Sequence, residues 1–242
     1  MPDWFVELGT DNRPDLEFLI RELRDHRFTV EARESMVYLR ATELNSLDHE
    51  LDVLIRARDM LKFINGTARA FRLSYHGVRA AAVCHLREDG SWSRHIFAEV
   101  AVTSANLVGA TSTPSLPAST FAEWVRLAES DADVAFTLLL LTEEAGRFAQ
   151  LYKICEAVRD ALGSDYERVL GAPRVKRVKH LEHTANVPAP GERDKRHATT
   201  NQRSPDDPME LREAERLVRE VIQLMVTERL ASPKGTVEQS QD

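Results

Sequence analysis

Hydrophobic and polar positions follow two rhythms along this chain, and the change of rhythm divides it. In the first half, short period-two runs alternate with helical stripes. Trp4 to Leu8 is rich in β-formers and ends at Gly9, which predicts a strand. Pro14 suits the first turn of a helix, and Leu16, Leu19, Ile20 and Leu23 follow at helical spacing. Phe28 to Val30 and Met36 to Leu39 read as two short strands. Leu47, Leu51, Leu54, Ile55 and Leu61 line one helical face, with Asn65-Gly66 as a left-handed stop. A strand over Phe71 to Tyr75 and a hairpin follow. Asp89-Gly90 predicts a two-residue turn that pairs Cys84 with His95 and His85 with Arg94. Trp92, Arg94, Ile96, Ala98, Val100 and Val102 then share one face of the outgoing strand.

Gly109 to Ser119 carries Gly, Thr, Ser and two prolines, a linker composition. Beyond it the period is helical. Thr120 and Glu123 form a capping box ahead of Phe121, Trp124, Val125 and Ala128. Val134 to Leu141 is apolar on every side, as in the central helix of a bundle. Phe148, Leu151, Cys155, Val158 and Leu162 form a further stripe, stopped by Gly163. Residues 133–163 fit one helix or two, divided at Gly146. The last helix is expected to start with Asp207 as cap, Pro208 in the first helical position and Glu210 completing the box. Leu211, Ala214, Leu217, Val218, Val221, Ile222 and Met225 form its stripe. The fold class is therefore α+β. A mixed strand and helix domain with a β-hairpin spans residues 1–110, an all-α bundle spans 118–231, and 232–242 is a polar tail expected to be disordered.

Composition narrows the function classes. A 43% hydrophobic fraction supports a sizeable core, and a formal charge of −7 is not that of an obvious nucleic-acid binder. The only cysteines, Cys84 and Cys155, do not make a disulfide framework and fit a reducing compartment. The start lacks a signal-peptide pattern, and the most apolar run is too short to span a bilayer. The expectation is a cytoplasmic protein with no membrane association. P-loop, dinucleotide, zinc-protease and paired CxxC patterns are missing, so no cofactor and no metal are expected. His180, His183 and His197 offer a three-histidine set with no Cys or carboxylate pattern behind it. Across the predicted hairpin Cys84 and His95 face each other with no third residue to orient them, so a buried structural cysteine is favoured.

Pro173 to Asp206 stands apart as a long connector rich in Arg, Lys and His, broken by Val187-Pro188-Ala189-Pro190-Gly191. Arginine and lysine hold phosphate by charge, and a histidine beside them can move a proton near neutral pH. Arg193, Arg196 and His197 lie just upstream of a capped helix, whose N-terminus favours anions.

A helical hairpin with Leu151-Tyr152-Lys153-Ile154-Cys155-Glu156, then a loop carrying Arg and His, then a final amphipathic helix, resembles the HEPN superfamily. His183-Thr184-Ala185-Asn186, followed by Arg196-His197 and Pro208-Met209, is similar to the MauJ-like and Apea-like HEPN-type proteins of bacteria. The resemblance covers roughly the second half. It implies a helical bundle that serves as a binding or dimerising module, or a metal-independent ribonuclease with an Arg and a His a few residues apart. Arg193 and His197 have three residues between them, which departs from the active spacing, while Arg174 to His180 and Arg177 to His183 have five.

The expected function is an interaction or sensing module. Its helical half would provide a homodimer or partner surface, and Arg193, Arg196, His197 and His183 a site for RNA or another anionic ligand. The alternative is a ribonuclease in a defence or toxin setting, with His197 as acid/base and Arg193 or Arg196 holding the scissile phosphate.

Overall fold

A computed structural model describes residues 3–24, 26–72, 75–87, 89–97, 120–142, 148–186 and 207–232. The described residues form two compact units that part at the start of the third helix. The first runs to Phe97 and takes in Thr120 to Ala122; the second begins at Glu123. The linker expected at Gly109 to Ser119 and the tail after Ser232 lie outside the described residues.

The first unit contains β1 (Asp3–Gly9), α1 (Arg13–Glu22), β2 (Phe28–Arg33), β3 (Met36–Ala41), α2 (Glu50–Phe71), β4 (Arg79–Leu86) and β5 (Trp92–Ile96). The strands form one antiparallel sheet in the order β2-β3-β1-β4-β5. The first four strands and two helices thus make the split βαβ, ferredoxin-like arrangement, with β5 added as a hairpin on the β4 edge.

Alternation assigns the two sheet faces. Val6 lies opposite Leu39 and Val83, and Leu39 opposite Val30. All four are buried, and they form the face that the helices cover. Phe18 and Leu19 from α1, and Val53, Leu54, Ala57, Leu61 and Ile64 from α2, supply the other half of this core. Trp4 donates its indole N–H to the Leu47 carbonyl at 2.9 Å, tying β1 to the turn before α2. Burying such apolar side chains contributes about 1.5–3 kcal/mol each before chain entropy is charged against them.

Three sequence expectations are corrected in this unit. Asn65-Gly66 does not stop α2, which continues to Phe71, so the strand expected over Phe71 to Tyr75 does not begin there; residues 73–74 lie outside the described residues. The cause is tertiary. The Asn65 amide donates to the Val78 carbonyl at 2.8 Å and accepts from the Val78 N–H at 3.0 Å, so it is occupied by the chain after the helix. The buried stripe of α2 is also rotated, leaving Leu51 and Ile55 exposed. Finally, the hairpin pairs Cys84 with Arg94 and Val83 with His95. The Arg87 N–H donates to the Ser91 carbonyl at 2.9 Å and the Ser91 N–H to Asp89 Oδ1 at 2.8 Å, a wider closure than the expected two-residue turn. That one-residue shift sends His95 to the face opposite Cys84.

The connector between α2 and β4 is braced by side chains. Asp15, fully buried, accepts from the His76 and Gly77 N–H groups at 2.8 and 3.0 Å and from the Asn12 amide at 2.9 Å. Arg69 donates to the His76 carbonyl, and Thr10 to that of Gly77. Gly77 sits at φ 122, a conformation that a side chain would strain. A connector running partly through the interior needs these partners, because its peptide groups cannot reach water.

The second unit is helical, with α3 (Phe121–Ser130) from Glu123 onward, α4 (Ala132–Leu140), α5 (Phe148–Leu162), α6 (Tyr166–Asn186) and α7 (Leu211–Ala231). α4 and α5 are separate elements, and residues 143–147 between them, Gly146 included, lie outside the described residues. Asp131 caps α4 by accepting from the Asp133 and Val134 N–H groups. Val134, Thr137, Leu138 and Leu140 of α4 are buried, but Phe136 and Leu139 are exposed, so this helix is not apolar-packed on every side. α5 ends before Gly163, as expected, with that glycine at φ 53. α6 is broken at Gly171 (φ 73, ψ 154), two residues before Pro173.

α7 begins at Leu211, not at Pro208. The predicted capping segment lies instead along α6: His180 Nε2 donates to the Asp207 carbonyl at 2.7 Å, the Met209 N–H donates to Thr184 Oγ1 at 3.1 Å, and Met209 is buried. Burying Met209 outweighs a local cap of about 1 kcal/mol.

Candidate interaction surface

The basic stretch after Pro173 is not one long loop. Its first part, to Asn186, belongs to α6, whose hydrogen-bonded backbone orders Arg174, Arg177, His180 and His183. Arg174 pairs with Glu220, and Arg177 with Glu213 and Glu220, all on α7. Arg168 pairs with Glu228 further along. The positive charge of α6 is thus answered by a row of glutamates on its neighbour, and it holds two helices together. His183 is exposed on α6. Arg193, Arg196 and His197, the other residues expected at the anion site, lie outside the described residues. Among the described residues no group of His, Cys, Asp or Glu is arranged to hold a metal ion.

The sheet face away from the helices carries a different set. Strand register places Asp3, Phe5 and Glu7 of β1, Glu31 and Arg33 of β2, Tyr38 and Arg40 of β3, Cys84 of β4, and Trp92, Arg94 and Ile96 of β5 on it. Phe5 is fully buried at the centre. The Arg33 and Arg40 guanidiniums lie 4.5 and 4.7 Å from its ring centroid, Tyr38 meets it edge-on at 6.1 Å, and Trp92 leans on it at 5.0 Å. Cation–π and aromatic contacts of this kind contribute about 0.5–1.5 kcal/mol each.

Each of these arginines also has a carboxylate. Arg94 holds buried Glu7 with two donors, at 2.7 and 2.9 Å. Arg33 lies 2.8 Å from Glu31, and Arg40 lies 3.2 Å from Asp3 and 3.7 Å from Glu31. Burial, with Glu7 adding to it and Arg94 opposing it, pushes the Cys84 thiol up. Burial first, then Cys84 and Glu7, does the same to the Tyr38 phenol. Both therefore stay protonated near neutral pH, and the face offers no thiolate nucleophile. Trp92 remains 49% exposed and Ile96 68%.

Sequence reasoning located Trp92, Arg94 and Ile96 on one strand face but missed Phe5, Glu7, Arg33, Tyr38 and Arg40. The available signal was the alternation itself. Asp3, Phe5 and Glu7 interleave with Trp4, Val6 and Leu8, while Tyr38 and Arg40 interleave with Val37 and Leu39.

Fold and surface together define a two-unit α+β protein whose ferredoxin-like sheet has one helix-covered face and one aromatic, charge-paired face. No protein family, curated protein or solved structure was found to match the chain. No helix among the described residues is long and apolar enough to cross a membrane.

Proposed function

We propose that this chain is a protein-interaction module and that the aromatic, charge-paired sheet face is where it meets its partner. One observation carries the reading: every arginine on that face is paired with a carboxylate of its own unit, while Trp92 and Ile96 remain open. Trp, Tyr and Arg are the residue types that dominate protein interfaces. A polyanion is bound by cations free to replace its counterions. Here Asp3, Glu7 and Glu31 already answer Arg33, Arg40 and Arg94. On the helical side, the α7 glutamates likewise answer Arg174 and Arg177. The HEPN-type resemblance of the second half agrees with a binding or dimerising role.

The test is binding of short single-stranded RNA to the full chain at low and moderate salt, with cleavage followed in the same samples. No salt-sensitive binding and no turnover are expected. Tight binding that weakens steeply with salt and is lost in Arg193→Ala/Arg196→Ala would overturn the proposal in favour of an RNA module. Cleavage lost in His197→Ala would overturn it in favour of a ribonuclease.

A further inference from the structure

We propose that the helical unit holds a carboxylate-binding site, formed by Arg159 of α5 and Tyr166 at the start of α6. It is independent of the sheet face. Tyr152, Cys155 and Arg159 follow one another at helical spacing along a single face of α5. Tyr166 opens α6 directly after the turn Gly163–Asp165, which sends the chain back along α5. The Arg159 guanidinium lies 5.5 Å from the centre of the Tyr166 ring and is half-buried.

Two groups here lack the same thing. Arg168, Arg174, Arg177 and Arg229 of this unit each face a carboxylate. Arg159 faces the Tyr152 and Tyr166 phenols instead, and no carboxylate pairs with it among the described residues. Tyr152 is engaged on both sides, hydrogen-bonded to Arg159 and to Glu182. Tyr166 is not. It is only 7% exposed, and although Arg159 reaches towards its oxygen, the hydroxyl makes no hydrogen bond of good geometry. A buried donor without an acceptor is costly, and so is a half-buried cation without a counter-ion. One acceptor of negative charge between them answers both. A carboxylate meets the need, with one oxygen taking the Tyr166 O–H and the pair lying along the free edge of the guanidinium. Glu182, beyond Tyr152, repels a doubly charged phosphate more than a singly charged carboxylate. The Cys155 thiol, pushed up to about 12 by burial, stays neutral and adds no further repulsion.

Nuclear magnetic resonance of the full chain tests this, following the Arg159 Nε–H and Tyr166 ring signals. The probes are sodium acetate and inorganic phosphate at fixed ionic strength. Acetate should shift both signals saturably, with a dissociation constant on the order of 1–10 mM. Tyr166→Phe keeps the ring and removes only the unanswered hydroxyl. It should fold with unchanged stability and bind acetate roughly 10-fold more weakly. Arg159→Gln should abolish the shift. No saturable shift with acetate, or one that both variants leave unchanged, would overturn the site. A Tyr166→Phe protein that loses stability would overturn it too, by showing that the hydroxyl already has its acceptor. Phosphate binding more tightly than acetate would overturn the carboxylate assignment.

Discussion

Arg94 grips both carboxylate oxygens of Glu7, Nε reaching Oε2 at 2.7 Å and a terminal nitrogen reaching Oε1 at 2.9 Å. Glu7 sits on the central strand and is buried, whereas Arg94 sits on the edge strand and is about half exposed. The pair therefore pins β5 across β4 to the middle of the sheet.

Removing Arg94 leaves a buried carboxylate without its counter-ion. Arg94→Ala should lower the midpoint of chemical denaturation, and Arg94→Lys should recover only part, because an ammonium cannot bind both oxygens side by side. The double variant Arg94→Ala/Glu7→Gln should be more stable than Arg94→Ala alone. Additive losses would show that the two side chains are not coupled.

Asp15 accepts three hydrogen bonds in a fully buried position. Asp15→Asn turns one of its oxygens into a donor facing other donors. A loss of roughly 3 kcal/mol is expected, with amide exchange at His76 and Gly77 accelerated more than at the strand centres. Unchanged protection of those two amides would contradict the bracing role.

Cys155 is buried in α5, and burial pushes its thiol up to about 12. An unfolded cysteine ionises near about 8.5. The folded chain thus holds this proton more tightly, so the contribution is complete below about pH 8.5 and is lost as pH rises towards about 12. Melting temperature should fall through the alkaline range, and Cys155→Ala should make that fall shallower while costing about 1 kcal/mol at neutral pH. In the folded protein the thiol should resist a thiol reagent until denaturant is added.

Glu215 of α7 is buried, its Oε1 has no hydrogen-bond partner, and burial raises its carboxyl above the ordinary range, with Arg219 and Arg212 opposing. A raised folded value favours the protein below the unfolded pKa and is lost as pH rises through the folded one. Glu215→Gln should therefore stabilise the chain near neutral pH by on the order of 1 kcal/mol, the gain fading towards about pH 4. A destabilised variant at neutral pH would show that the charge is used.

Local pattern predicted what local physics controls. β1, β2 and β3 were legible because each alternates within a few residues, and the stripe of α7 because it repeats over several turns. What remained hidden was decided at a distance. α2 overruns Asn65-Gly66 because Asn65 bonds to Val78, and α7 starts late because Met209 buries itself against α6. The hairpin slipped by one residue because the Asp89 side chain holds a wider loop than Asp-Gly alone requires. The part of the basic stretch up to Asn186 read as loop because the partners of Arg174 and Arg177, Glu213 and Glu220, lie far along the sequence on another helix. The aromatic face was spread over five strands, and only the register assembles it.

Asn65-Gly66 has a chemical consequence as well. Asparagine followed by glycine is the pairing most open to deamidation, in which the glycine nitrogen attacks the side-chain amide to form a succinimide. In α2 that nitrogen is fixed in the helix, and the amide is engaged by Val78 and by the Tyr75 hydroxyl. The folded chain is therefore shielded, and the unfolded chain is not. Aspartate at this position could no longer donate to the Val78 carbonyl, so prolonged unfolding would leave some molecules less able to return. The helix that ignores its own stop signal thus protects the amide on which its own continuation depends.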